Sequence, residues 1–87
     1  MATVFIPPPL RSLTEGQELV EAQGRNVRDV IDDLDARFPG FAERICDGEQ
    51  LRPGLAVAVG TTVTSLGLLA KVDPDSEVHF LPAISGG

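Results

Sequence analysis

The chain has 87 residues, of which 43% are hydrophobic, so it supports one small domain with a packed core. Its 13 acidic and 7 basic residues give a net charge of −6, which argues against nucleic-acid binding and against attachment to a membrane surface through basic residues. The single cysteine, Cys46, excludes an internal disulfide and, with no Cys or His at metal spacing, a structural zinc site.

The first two predicted elements are short strands. Residues Ala2–Ile6 are rich in β-forming side chains and end at three prolines, and residues Glu18–Ala22 alternate in polarity. The start of the chain lacks the pattern of a signal peptide, and no apolar stretch approaches the ~20 residues that cross a bilayer. We therefore expect a hairpin at the start of a cytoplasmic protein.

Residues Asn26–Phe38 carry the clearest helical pattern. Asn26 suits the N-cap position, and Pro39-Gly40 stops the helix. The acidic side chains between these ends fall on the other side of the helix, which we interpret as its solvated face. Apolar side chains recur at the spacing of one helical face, at Val27, Val30, Ile31, Leu34 and Phe38. The pattern predicts a helix packed across one face of a sheet.

The segment after the helix predicts shorter elements. A helical turn containing Phe41, Ile45 and Cys46 precedes an Asp-Gly turn. The apolar run Leu55–Val59 is typical of a strand that is covered on both sides or nearly so. An irregular segment is then predicted to fill the core through three leucines, Leu66, Leu68 and Leu69.

The last predicted strand, Glu77–Leu81, follows a strong turn at residues 73–76 and ends at Pro82, which has no N–H to donate to a sheet. Alternation along this strand points Val78 and Phe80 inward and Leu81 outward. Two strands, a helix, a loop and two more strands predict an α+β protein. Its size and order match the β-grasp (ubiquitin-like) architecture, a mixed sheet with one main helix packed across one face.

Side chains that support catalysis are sparse. Cys46 and His79 lie 33 positions apart and belong to no nucleophile motif. We interpret Cys46 as a half-buried apolar residue and His79 as a surface or edge side chain without an acid, base or metal partner. No phosphate-binding glycine motif is present. We therefore assign no catalytic residue to this chain.

The C-terminal segment is the feature that a packed domain does not explain. Residues 82–87 read Pro-Ala-Ile-Ser-Gly-Gly, carry no charged side chain and follow the last strand directly. Paired glycines let a chain pass through a cleft in which any Cβ would collide. The α-carboxylate of Gly87 becomes reactive once an enzyme converts it to an acyl-adenylate with ATP. We therefore expect a globular body at residues 1–82 and a flexible tail at residues 83–87.

The sequence resembles the ubiquitin-like sulfur carriers. This family includes the small subunit of molybdopterin synthase, the thiamin sulfur carrier and the cysteine-biosynthesis carrier. The resemblance rests on the opening strand Val4–Pro7, on the apolar face of the helix, and above all on residues 73–87. In those residues an acidic turn, Glu-Val, a hydrophobic strand, a proline and Gly-Gly follow one another. The resemblance implies a β-grasp fold and no bound cofactor. It also implies two partners: an adenylating enzyme related to the ubiquitin-activating enzyme, which uses ATP, and a synthase that accepts the sulfur.

The resemblance also implies roles for individual residues. Gly87 is expected to be the residue that is adenylated and converted to a thiocarboxylate, with Gly86, Ser85 and Ile84 threading into the partner. Leu81 is expected to dock the partner together with Ala56 and Ala58 on the neighbouring strand. The chain length and the segment Leu81-Pro82-Ala83 favour the cysteine or molybdopterin types over the thiamin type, although the tail has one proline where the molybdopterin subunit often has two. Two alternatives stay open: a protein modifier joined to lysines through Gly87, and a subunit whose tail only inserts into a partner.

Overall fold

The computed structural model describes residues 1–82. Within them the strands and helices, in chain order, are β1 (Ala2–Phe5), β2 (Leu19–Ala22), α1 (Val27–Arg37), α2 (Phe41–Ile45), β3 (Cys46–Asp47), β4 (Gln50–Leu51), β5 (Leu55–Val59), β6 (Thr62–Val63) and β7 (Glu77–Pro82). Short 3-10 turns occupy Pro8–Leu10 and Gly67–Leu69.

The described residues form a five-stranded mixed sheet in the order β2-β1-β7-β5-β6. The last strand, β7, lies in the middle, parallel to β1 and antiparallel to β5. Strands β3 and β4 make a separate small hairpin. The predicted mixed sheet with one main helix is confirmed. His79 was predicted as a surface or edge side chain: its partial exposure agrees with the first alternative, and the central position of β7 excludes the second.

Helix α1 begins and ends where the sequence predicts. The Asn26 side-chain oxygen accepts a hydrogen bond of 2.8 Å from the backbone N–H of Asp29, which satisfies one of the free donors of the first turn. At the other end the Phe38 N–H donates to the Leu34 carbonyl at 2.7 Å. The Arg37 side chain in the last turn donates a hydrogen bond of 2.5 Å to the backbone carbonyl of Glu21. This bond links the solvent-exposed side of the helix to β2.

The core lies between α1 and the inner face of the sheet. Val30 of the helix and Val4, Val57 and Val78 of three adjacent strands are fully buried. The closely packed interior also includes an aromatic pair, in which the rings of Phe41 and Phe80 meet edge to face at 6.3 Å between centroids. The central strand β7 therefore contributes two buried side chains, Val78 and Phe80, to the core, and Phe80 contacts Phe41 of α2.

The segment of three leucines does not fill the core as predicted. Leu68 is buried, but Leu66 and Leu69 expose 62% and 79% of their surface. The 3-10 turn at Gly67–Leu69 explains the difference, because consecutive side chains on a turn of three residues point in different directions and one of them reaches the core. Gly67 adopts a φ of +56°, which favours glycine and reverses the chain there.

Two predicted boundaries also shift. Pro82 is the final residue of β7 and lies opposite Leu55, so the strand extends through the proline instead of ending before it. Proline lacks the N–H that a strand residue donates, but its fixed φ is compatible with the last position of a strand. Cys46 lies outside the short helix, because it begins β3 and pairs with Leu51.

No helix among residues 1–82 has the length and apolar character needed to cross a membrane. The same residues hold no group of three or more His, Cys, Asp or Glu side chains arranged to bind a metal ion.

Gly24 is a position where the packing of α1 against the sheet depends on the absence of a side chain. A Cβ at Gly24 would lie 2.6 Å from the backbone nitrogen of Val30 and 2.9 Å from the carbonyl carbon of Asp29. We predict that Gly24→Ala lowers the free energy of unfolding by about 2–3 kcal/mol, because the helix must move to relieve the overlap. Chemical denaturation measures this change.

Gly16→Ala is the matched control for that substitution. Gly16 has a φ of +83° and no atom within 4 Å of an added Cβ, so alanine there carries a conformational cost alone, about 1 kcal/mol. An equal or smaller loss of stability for Gly24→Ala than for Gly16→Ala would contradict the packing described here.

Candidate functional site

The face of the sheet that points away from α1 is the candidate docking surface, here called the outer face. Strand pairing arranges its side chains in rows that run across the strands. One row consists of five aligned positions, namely Leu19, Phe5, His79, Ala58 and Val63. A second row, closer to the end of β7, pairs Leu81 with Ala56.

A polar row lies on the other side of the five-residue row. Thr3 is aligned with Glu21 on β2 and with Glu77 on β7, so two carboxylates flank a threonine at the end of the sheet where β7 begins. Both glutamates are exposed. The outer face therefore changes from acidic to apolar along β7, in the direction of the residues that follow Pro82.

His79 lies at the centre of this face and makes two contacts that the sequence did not predict. Its ring stacks on Phe5 with 4.0 Å between centroids and 15° between planes. Its Nε2 atom lies 3.2 Å from a carboxylate oxygen of Glu77. Residues two apart on a strand share one face, so the ring has an acidic partner, contrary to the prediction, and its other contact is the ring of Phe5 on the adjacent strand.

The three predicted docking residues share the outer face but differ in exposure. Leu81 and Ala56 are half-buried, whereas Ala58 exposes only 7% of its surface between its cross-strand neighbours His79 and Val63. Ala58 therefore keeps the face flat and offers little surface of its own.

Three further residues of the outer face escaped the sequence analysis. Leu19 and Val63 expose 51% and 61% of their surface, and Phe5 is half-buried and stacked against His79. Alternation around the inward Val4 would have placed Phe5 outward. The two edge positions depend on cross-strand register, which local sequence does not reveal.

Cys46 is half-buried, as predicted. Burial raises the pKa of its thiol, and the nearby Arg28 guanidinium opposes that shift without overcoming it. Because the thiolate is the reactive form of cysteine, a raised pKa is the opposite of what a nucleophile at neutral pH requires.

The predictions made for Ile84, Ser85, Gly86 and Gly87, including a flexible tail at residues 83–87, lie outside the described residues. The structure does establish where that segment starts. Pro82 is aligned with Leu55 at the end of the central strand, next to the row formed by Leu81 and Ala56.

The chain is similar to proteins of one family along nearly its whole length. The family model described as "ThiS family" matches residues 4–87. The sulfur carrier protein CysO of Mycobacterium tuberculosis (strain ATCC 25618 / H37Rv) is 38% identical over 92 residues, and the match covers 98% of this chain and 97% of that protein.

Solved structures agree with this assignment. A chain in the crystal structure of the Amycolatopsis orientalis BexX/CysO complex is 36% identical, with a TM-score of 0.90 and full coverage of both chains. The small archaeal modifier protein 1 of Methanosarcina acetivorans has a TM-score of 0.75 at 21% identity and covers 99% of this chain and 95% of that one, which shows a shared fold alone. The fold is the β-grasp of these proteins. With a family match over residues 4–87 and a relative at 38% identity, the chain belongs to the ThiS family.

Proposed function

We propose that this protein is a sulfur carrier. The observation that carries the proposal is the match to the sulfur carrier protein CysO at 38% identity over 98% of the chain and 97% of the relative. The family match over residues 4–87 includes both the β-grasp body and the segment that ends in Gly86-Gly87. The CysO relationship favours the cysteine-biosynthesis type among the carriers that the sequence resembles.

The proposed chemistry takes place at the carboxylate of Gly87. One carboxylate oxygen attacks the α-phosphorus of ATP and displaces pyrophosphate, which leaves an acyl-adenylate. Sulfide then attacks the acyl carbon, the carbon–oxygen bond to AMP breaks, and AMP leaves with its electron pair. The product is a thiocarboxylate, in which sulfur replaces one carboxylate oxygen. No oxidant or reductant is consumed when sulfide is the donor.

In this proposal, partner proteins carry out the catalysis. ATP binding and acid–base chemistry belong to an adenylating enzyme related to the ubiquitin-activating enzyme, and a synthase accepts the sulfur. The presence of a CysO relative in a complex with BexX supports the use of a protein partner. Because the first step consumes ATP, we place the reaction in the cytoplasm.

The outer face supports the proposal physically, because a carrier must present its body as well as its terminus. Leu81 and Ala56 form an apolar row beside the start of the tail, and the two glutamates at the other end of β7 provide an acidic margin. Apolar contacts at the centre of an interface provide most of the affinity, whereas charges at the rim act on the rate and direction of encounter.

A protein modifier that forms isopeptide bonds to lysines through Gly87 is less favoured. The likeness to the small archaeal modifier protein 1 is limited to 21% identity and supports the fold alone. The two functions share the adenylation step and differ in the nucleophile that follows. Sulfide gives a thiocarboxylate, whereas a lysine amine gives an amide.

Gly86→Ala tests whether the tail enters a narrow cleft. We predict that exchange of labelled pyrophosphate into ATP, catalysed by the cognate adenylating enzyme and dependent on this protein, falls at least tenfold, because an added Cβ collides with the walls of the cleft. Ser12→Ala, an exposed position in the connection between β1 and β2, is the control and should exchange like the unmodified protein. Unchanged exchange for Gly86→Ala would contradict the threading role.

Leu81→Asp tests the outer face. We predict about a tenfold increase in KM for the carrier in the same exchange assay, with kcat little changed, because a charge on the apolar row opposes docking and leaves the reacting carboxylate untouched. Leu69→Asp is the matched control, since Leu69 is 79% exposed in the 3-10 turn at Gly67–Leu69. Equal effects of the two substitutions would rule out the outer face as the docking surface.

A further inference from the structure

Strand β2 forms one edge of the five-stranded sheet within residues 1–82, because it pairs with β1 on one side only. The Ile6 N–H donates to the Glu18 carbonyl at 2.8 Å, and the antiparallel register then directs every second residue after Glu18 towards β1. The residues between them point their backbone N–H and C=O groups away from the sheet, namely Leu19, Glu21 and Gln23. Outward groups of this kind are the template on which another strand can pair.

Helix α1 places two charged side chains on that edge. Arg37 Nη2 donates to the Glu21 carbonyl at 2.5 Å, and the Gln23 N–H donates to the Asp33 carboxylate at 3.0 Å. The two side chains also bind each other, with 3.1 Å between Arg37 Nη2 and Asp33 Oδ2. One donor and one acceptor therefore meet two successive outward positions of β2, in the way that a residue of a parallel neighbouring strand would pair beside Ala22.

We propose that the Asp33–Arg37 pair closes the edge of β2 against pairing with β2 of a second copy of this chain. An antiparallel two-fold pairing of the two strands would place Leu19 of each copy opposite Glu21 of the other, and these residues would exchange N–H···O=C hydrogen bonds. That pairing needs the Glu21 carbonyl, which Arg37 already occupies. The inference goes beyond the proposed function and does not depend on it.

A second copy is the strand donor that fits this edge best, because the two-fold register is self-complementary. It sets the exposed apolar side chain of Leu19 beside the aliphatic part of Glu21, and the two Glu21 carboxylates are not directly opposite each other. Leu19 also belongs to the outer face, so such a pairing would continue that face into a second sheet. The closed edge therefore keeps the outer face of each copy separate.

A second ion pair on the same helix shows what is particular about this one. Arg28 and Asp32 have the same four-residue spacing, with 3.4 Å between their charged groups. Arg28, however, lines a cavity with Ala42, Cys46 and Gly48, on the side of the helix that faces the β3–β4 hairpin. Exposed ion pairs contribute little to stability, so the property that distinguishes Asp33–Arg37 is its contact with the backbone of the sheet edge.

Arg37→Ala tests the closure of this edge by sedimentation of the full chain. High salt screens the net charge of −6 that otherwise keeps two copies apart. We predict that the unmodified protein sediments as a monomer, whereas the weight-average mass of Arg37→Ala rises with concentration and approaches twice the monomer mass at millimolar protein. Arg28→Ala is the matched control, because it removes the same charge from the same helix, and it should remain monomeric.

Leu19→Pro identifies the surface through which the variant associates. The Leu19 N–H points away from β1, so a proline there preserves the pairing within the sheet and removes a donor that the two-fold pairing needs. The double variant Arg37→Ala/Leu19→Pro should therefore sediment as a monomer again. Association that persists in the double variant would assign the contact to another surface and overturn the proposal.

The other outcomes are equally decisive. An Arg37→Ala protein that stays monomeric shows that the pair does not guard the edge, and equal association of Arg28→Ala shows that loss of positive charge alone is responsible. Dimers of the unmodified protein that Leu19→Pro abolishes show that the edge is open. Thermal unfolding verifies that each variant is folded, and Arg37→Met, which keeps the aliphatic part of the side chain, replaces Arg37→Ala if it is not. None of these measurements involves ATP or an adenylating enzyme, so their failure is distinct from failure of the proposed function.

Discussion

The central position of β7 is the constraint on which the rest of the structure depends. It pairs with β1 on one side and β5 on the other, so its backbone is held along its length. Its inward residues Val78 and Phe80 lie in the core, and its outward residues His79 and Leu81 lie on the outer face. One strand therefore joins the core of the domain to its outer face, and it ends where the C-terminal segment begins.

The proposed function needs a carrier that is recognised through its body as well as through Gly87. We propose that the apolar row of Leu81 and Ala56 provides this recognition. Cys46 and His79, the residues with the most reactive side chains, are a half-buried thiol with a raised pKa and a ring stacked on Phe5. We assign them structural roles and propose that the chemistry takes place at Gly87.

Local patterns predicted the elements whose signals are contained within a few residues. The N-cap of Asn26 and the apolar stripe of α1 are such signals, as is the alternation that points Val78 inward. The roles of the last four residues came from the chemistry of a Gly-Gly terminus and from a family resemblance, since residues 83–87 lie outside the described part.

Features that depend on pairing between distant segments were not predictable in this way. The parallel alignment of Phe5 with His79 joins residues 74 positions apart, and it places His79, predicted as a surface or edge side chain, at the centre of the outer face. An apolar groove at the end of β7 likewise needs three segments to meet, residues 7–9, 54–55 and 80–82. The exposure of Leu66 and Leu69 follows from a 3-10 turn, whose period the leucine spacing did not reveal.

Mass spectrometry of the protein after incubation with ATP, sulfide and its cognate adenylating enzyme tests the central claim most directly. The account predicts that the intact mass rises by the difference between one sulfur and one oxygen, and that fragmentation locates the exchange at Gly87. Omission of ATP should abolish the change. An unaltered mass, with an adenylating enzyme that demonstrably exchanges pyrophosphate in the presence of this protein, would contradict a role in carrying sulfur.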